Sequence, residues 1–253
     1  MLVIAMASCN KEKFSDVQAS EDDIFAQISV AKIFSIVNDV STNYFCLADS
    51  SSLNPVVSLS CDTFPCDLLI SFNDSIQDSY SDDYLGNISV RINDMWNSQS
   101  NTITITMNNF KVNDVKFTGT LTASVDTIFE NWTQYGLAGN NLKVKFSAEN
   151  EFSWNINQIV FLSRGTVFPD DFINDKYYYY GVSSGNAVTG RSFSSGITDS
   201  LVFSKICSGG SIISGKKELI PFEYSMRLID YGSGNCDNTA VILSEGEEYY
   251  FEF

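Results

Sequence analysis

From Thr102 to Met107 the chain alternates strictly, Thr-Ile-Thr-Ile-Thr-Met. A period of two puts every second side chain on one face, so this run predicts a strand with one buried and one wet face. The alternation returns at Leu142-Lys-Val-Lys-Phe146, after a Gly139-Asn-Asn sequence that reads as a turn. Phe110-Lys-Val112, Asn113-Asp114 and Val115-Lys-Phe-Thr118 read as a tight hairpin, continued through Thr120–Val125. Tyr224–Ile229 enters the stretch Asp230-Tyr-Gly-Ser-Gly-Asn-Cys-Asp-Asn238, and Thr239–Leu243 leaves it. Gly permits positive φ, and Asn and Asp bond their own backbone, so that stretch reads as a turn.

Further β runs are Val56–Ser60, Leu68–Phe72, Ile88–Ile92, Trp154–Ile156, Ile159–Leu162, Lys176–Gly181, Leu201–Ile206 and Ser211–Ser214. Glu248–Phe253 closes the chain after a Glu245-Gly246 turn. Strands joined by short turns predict an antiparallel meander rather than βαβ units. The expected fold is all-β: an antiparallel meander or extended sheet with one N-terminal helix packed on it.

That helix is expected over about residues 21–42. Ser20-Glu-Asp-Asp23 reads as its start, a serine cap with an acid three residues on. Ile24, Ile28, Ala31, Phe34 and Val37 follow at helical spacing, and Phe25, Val30, Ile33 and Ile36 widen the apolar face. The acidic flank favours a helix that covers a sheet over one that binds a membrane. The organisation expected is a tether at 1–19, the helix and a linker at 20–54, and a β body at 55–253 with a sub-boundary near 164–176.

The 253 residues carry 31 acidic and 15 basic side chains, a formal charge of −16. Such a surface repels phosphate backbones, so nucleic acid is not an expected partner. There is no histidine, which excludes Ser-His-Asp and Cys-His catalysis and any His-ligated zinc. No phosphate-loop or G-x-G-x-x-G pattern is present, and no cofactor is expected. The aspartates of Asn73–Tyr84, among them Asp74, Asp78, Asp82 and Asp83, lack the EF-hand spacing and read as a solvated loop, with no metal. What survives of catalysis is chemistry by a carboxylate pair, which needs two acids facing each other in an aromatic cleft.

Met1-Leu-Val-Ile-Ala-Met-Ala-Ser-Cys9 is too short to span a bilayer and lacks the basic start of a secretory signal. Ala7-Ser8-Cys9 resembles a lipobox, so Cys9 is the candidate lipidation site. It would tie the chain to a membrane through a lipid anchor, at the outer membrane or cell surface. An exported chain pairs most of its cysteines. A hairpin could join Cys207 to Cys236, closing a loop that contributes about 3 kcal/mol or more in the chain-entropy account. Pairing among Cys46, Cys61 and Cys66 stays open. In Lys176-Tyr-Tyr-Tyr-Tyr180 alternation leaves about two rings exposed. Tyr178, Tyr180 and Trp154 are the candidate ligand-contacting residues, because exposed aromatics stack on sugars or dock a partner.

Asp230-Tyr-Gly-Ser-Gly-Asn-Cys-Asp-Asn-Thr-Ala-Val241 resembles a C-terminal signature, DYGxGxCDNxAxV, of a large group of Bacteroidota lipoproteins. Phe64-Pro65 before Leu68–Phe72 is similar to that group's early strand. Asn109–Asp114 through Gly119-Thr-Leu-Thr122 is similar to its YxVNxxxxxGTxT hairpin. The likeness spans most of 55–253. Where the group often carries Gly-Cys after the early strand, this chain has Asn73-Asp74, and Cys66 precedes the strand instead. The resemblance implies a periplasmic or surface lipoprotein with an all-β body and no known activity. Asp74-Ser-Ile76, Asp126-Thr-Ile128 and Asp199-Ser-Leu201 also fit the O-glycosylation triplet of such organisms. The expectation is a non-catalytic envelope lipoprotein, a binding or structural module meeting a glycan or an envelope protein. The alternative is a histidine-free carboxylate-pair hydrolase acting on glycans.

Overall fold

The alternating runs become strands of one continuous sheet. The structure, a computed structural model, describes residues 17–43, 45, 55–77, 83–96, 98–146, 150–164, 174–207 and 210–253. After helix α1 (Gln18–Thr42) come β1 (Val56–Ser60), β2 (Cys66–Gln77), β3 (Asp83–Ile92), β4 (Thr102–Val112), β5 (Val115–Ile128) and β6 (Trp132–Lys145). Then follow β7 (Glu151–Ser163), β8 (Lys176–Asn186), β9 (Ser192–Ser204), β10 (Ser211–Pro221), β11 (Arg227–Ser233), β12 (Thr239–Ser244) and β13 (Glu247–Glu252). Their order in the sheet is their order in the chain, and each neighbouring pair is antiparallel. The all-β meander with one helix packed on it is therefore what forms.

The helix does more than lie on the sheet. Its side chains meet Phe117 of β5, Tyr135 of β6, Trp154 of β7, Tyr177 of β8, Ser195 of β9, Lys217 of β10 and Arg227 of β11. Seven neighbouring strands span about 30 Å at their usual spacing, whereas a helix is only about 10–12 Å across. The sheet must curl around α1 to touch it from all of them. Ile24, Ala31, Ile33, Phe34 and Val37 are sealed from solvent, and so are Asp23, Gln27 and Asn38. By length and composition α1 could cross a membrane, but most of it is buried inside the sheet. A helix apolar on all sides belongs in such an interior.

The helix starts earlier than its acids suggested. Val17 is the N-cap and makes no side-chain cap bond; Ser20 sits inside the first turn with its hydroxyl facing Arg227. Ser20 and Asp23 are drawn inward by partners on the sheet, so they do not cap.

One expected turn proves to be a bulge. Gly139-Asn140-Asn141 lies within β6, where the register with β7 shifts between Gly139 and Leu142. Asn141 takes φ +52°, and its N–H donates to Asn155 Oδ1 at 2.6 Å. Asn108-Asn109 likewise interrupts β4 without ending it. The sequence Asp230-Tyr-Gly-Ser233 belongs to β11, so the expected turn begins later. The proposed loop 73–84 is shortened from both sides, by β2 reaching Gln77 and β3 starting at Asp83. On either side of the expected sub-boundary near 164–176, β7 and β8 pair from Ser153–Asn186 to Ser163–Lys176, and residues 165–173 lie outside the described residues. Asn113-Asp114 does form the tight hairpin, with φ +49° and +67°.

Disulfides join Cys61 to Cys66 and Cys207 to Cys236. Cys9 and Cys46 lie outside the described residues, as do Asp78 and Asp82.

Candidate functional site

Alternation along β7 sorts its side chains. Phe152, Trp154, Ile156 and Gln158 point to the interior, and Asn155, Asn157, Ile159 and Phe161 point outward. Trp154 is fully buried, so it cannot offer its ring to a ligand at the surface. The reason is parity: it shares the face of Phe152 and Ile156. Its indole N–H donates to Asp23 Oδ1 at 2.8 Å.

Trp154 belongs to a polar seam between α1 and the sheet. Lys217 Nζ stands 2.7 Å from Asp23 Oδ2, with both side chains fully buried. Asp23 also accepts from the Ser183 and Ser195 hydroxyls. Lys217 donates to Ser183 Oγ at 2.9 Å. Gln27 and Gln158 exchange amide bonds beside it. Buried charge is tolerated only when paired and hydrogen-bonded, and this seam supplies both. Burial pulls the Lys217 ammonium below its ordinary pKa, and Asp23 opposes that pull. The hydroxyls and the amine face inward, so the seam is an anchor for the helix and not a place where substrate meets a nucleophile.

A second anchor lies lower on α1. Lys205 Nζ contacts Asp39 Oδ2 at 2.6 Å. Burial raises the Asp39 carboxyl to about 6 despite Lys205, with Asp175 adding to the rise. Tyr177 donates nothing to that pair; its hydroxyl accepts from Asn38 at 3.3 Å.

The outer face carries the chemistry that can meet a ligand. Of the four tyrosines, Tyr177 and Tyr179 are buried, Tyr178 is half-buried and Tyr180 is exposed. Burial lifts the two inner phenols well above their ordinary range, so both stay protonated. Tyr180 meets Phe161 edge-on at 5.6 Å between ring centroids. Phe161 meets Trp132 at 5.5 Å, and Trp132 stacks on Phe129 at 4.0 Å. These four rings step from the β5–β6 turn across β6 and β7 to β8. Diagonal neighbours on one face of a sheet are within reach of aromatic side chains, which makes such a ladder possible. Phe129 and Tyr180 are its exposed ends, at 51% and 42%. Trp132, Phe129 and Phe161 were not among the sequence candidates. The signal was there: Phe161 shares the parity of Asn155 and Asn157, and Phe129 and Trp132 bracket a turn.

Next to the ladder, toward the other end of β7 and β8, lies a groove of about 500 Å³. Asn140, Asn155, Asn157, Ser184, Ser194 and Thr198 give it polar walls, with Val182 and Ile220 between them. Gly181, next to the lining residue Val182, lets β8 approach β7 closely. A Cβ there would stand 2.5 Å from Asn157 O, and φ is +118°, so only glycine fits. Another groove does hold two carboxylates, Asp199 and Asp230, with Lys216 ion-paired to Asp230 between them. No aromatic residue lines it. Among the described residues there is no cluster of acids, cysteines and histidines able to hold a metal ion.

No family model, no curated protein and no solved structure matches this chain.

Proposed function

We propose that this chain is a non-catalytic cell-envelope lipoprotein that binds a glycan on its outer sheet face. The observation that carries the reading is the ring ladder Phe129–Trp132–Phe161–Tyr180. Tyrosine and tryptophan combine an apolar face with a polar edge, which suits the two sides of a sugar ring. The core does not need these rings, since the interior is filled by α1 and the opposite side-chain set. Two disulfides favour an oxidising compartment. Cys9, after Ala7-Ser8, is the proposed site of the lipid that ties the chain to the outer membrane or cell surface. The carboxylate-pair alternative is less favoured: its two acids sit in an open groove without aromatics, with a lysine between them.

The test is binding of the purified chain to glycans released from its own cell envelope, compared with Trp132→Ala and with protein-only envelope extracts. Binding to the glycan fraction that Trp132→Ala abolishes supports the reading. Binding to the protein extract alone replaces it with an envelope-protein partner.

A further inference from the structure

The groove beside the ladder narrows what the glycan is, and this step rests on the reading above. The two features form one track. Across β7 and β8, Phe161 faces Tyr178, Ile159 faces Tyr180, Asn157 faces Val182 and Asn155 faces Ser184. The six-residue advance from Asn155 to Phe161 covers about 20 Å of strand. Rings occupy one end and amides and hydroxyls the other.

Amide side chains both donate and accept, as sugar hydroxyls do. Asn155 is already committed, accepting from Asn141 N–H and donating weakly to Ser184 O. Among the described residues, Asn140 and Asn157 have no such engagement, and both border the groove. The groove's volume falls in the range of small-molecule sites. Its lining contains no Lys or Arg and one acid, Glu218. In a protein of charge −16, a ligand carrying carboxylates or sulfates would meet repulsion with no cation to offset it.

We infer that the ligand is an uncharged, extended chain of linked sugars lying along β7 and β8, stacked on Phe161 and Tyr180 and hydrogen-bonded by Asn157 and Asn140 at the groove end.

The experiment is affinity electrophoresis of the full chain in detergent through neutral polysaccharides (a glucan, a mannan, a xylan) and through polygalacturonate. It is repeated for Asn157→Ala and Trp132→Ala, with circular dichroism to show that each variant is folded. The expected result is retardation by at least one neutral polymer and none by polygalacturonate. Asn157→Ala weakens that retardation about tenfold, the loss of one good hydrogen bond. Equal or stronger retardation by polygalacturonate overturns the inference, as does neutral binding indifferent to Asn157→Ala. If no polymer binds but released envelope glycans still bind through Trp132, the uncharged-chain inference falls and the glycan-binding reading stands. If those glycans also fail to bind, both fall.

Discussion

Lys217 and Asp23 meet at 2.7 Å with no exposed surface on either side chain, which ties the helix to the tenth strand from inside the sheet. Removing one partner strands the other charge in the core. Lys217→Met or Asp23→Asn is therefore expected to lower unfolding free energy by about 3–5 kcal/mol. The double change Asp23→Leu with Lys217→Met recovers only part of that loss: it removes the stranded charge but leaves the Trp154 indole N–H and the Ser183 and Ser195 hydroxyls without Asp23 as acceptor. Urea unfolding of the set checks it; single variants within 1 kcal/mol of the parent, on the order of a surface change, would show that the pair is not desolvated.

Asp39 gives the fold a pH dependence of definite sign. Burial holds its carboxyl at about 6 in the folded chain, above its ordinary 3.8. The folded state thus binds the proton more tightly than the unfolded one. Its contribution to stability is complete below pH 3.8 and is lost as pH rises through about 6. Asp39→Asn removes that titration, so its stability curve between those limits is flatter than the parent's. Denaturation midpoints measured across the window decide, and parallel curves would contradict the assignment.

The two disulfides are expected to differ in weight. Cys207 and Cys236 are 29 residues apart, whereas Cys61 and Cys66 are 5 apart. In the chain-entropy account the longer loop contributes about 3–4 kcal/mol and the shorter about 2. Paired serine replacements at each bridge, followed by thermal unfolding, should show the larger loss at 207/236.

Trp132 and Trp154 are expected to separate binding from stability. Trp154→Phe loses the indole bond to Asp23 and lowers stability by about 1–3 kcal/mol, the cost of a disrupted buried charged hydrogen bond. It leaves the outer ladder intact. Trp132→Ala should unfold near the parent's midpoint and lose glycan binding. A variant series in which both residues affect only stability would remove the ladder from the account.

The sheet was readable because period two is written into the chain at Thr102–Met107 and Leu142–Phe146, and Asn113-Asp114 marks a hairpin by its own turn chemistry. The bulges at Asn109 and Asn141 were not, because Asn takes positive φ equally well in a turn or in a bulged strand. Only the pairing of the neighbouring strands tells the two apart. Ser20 and Asp23 looked like a helix cap because the sequence does not show that Arg227 and Lys217 point inward from distant strands. Trp154 was misassigned for a simpler reason. The polar residues Ser153, Asn155 and Asn157 mark the wet face of that run, and Trp154 is on the other one. Tyr178 and Tyr180 were placed on the outside by the same rule, and that is where they stand.

Tryptophan fluorescence offers the most direct measurement on the central claim. Trp96 and Trp154 are buried, at 4% and 0% exposure, and Trp132 is the half-exposed one of the three. Acrylamide quenching therefore reports chiefly on the ladder. Adding released envelope glycans should protect the parent's emission from quenching and leave Trp132→Phe unchanged. Glycan binding shown by an independent assay, with Trp132 quenched as readily as before, would place the ligand elsewhere and contradict the account.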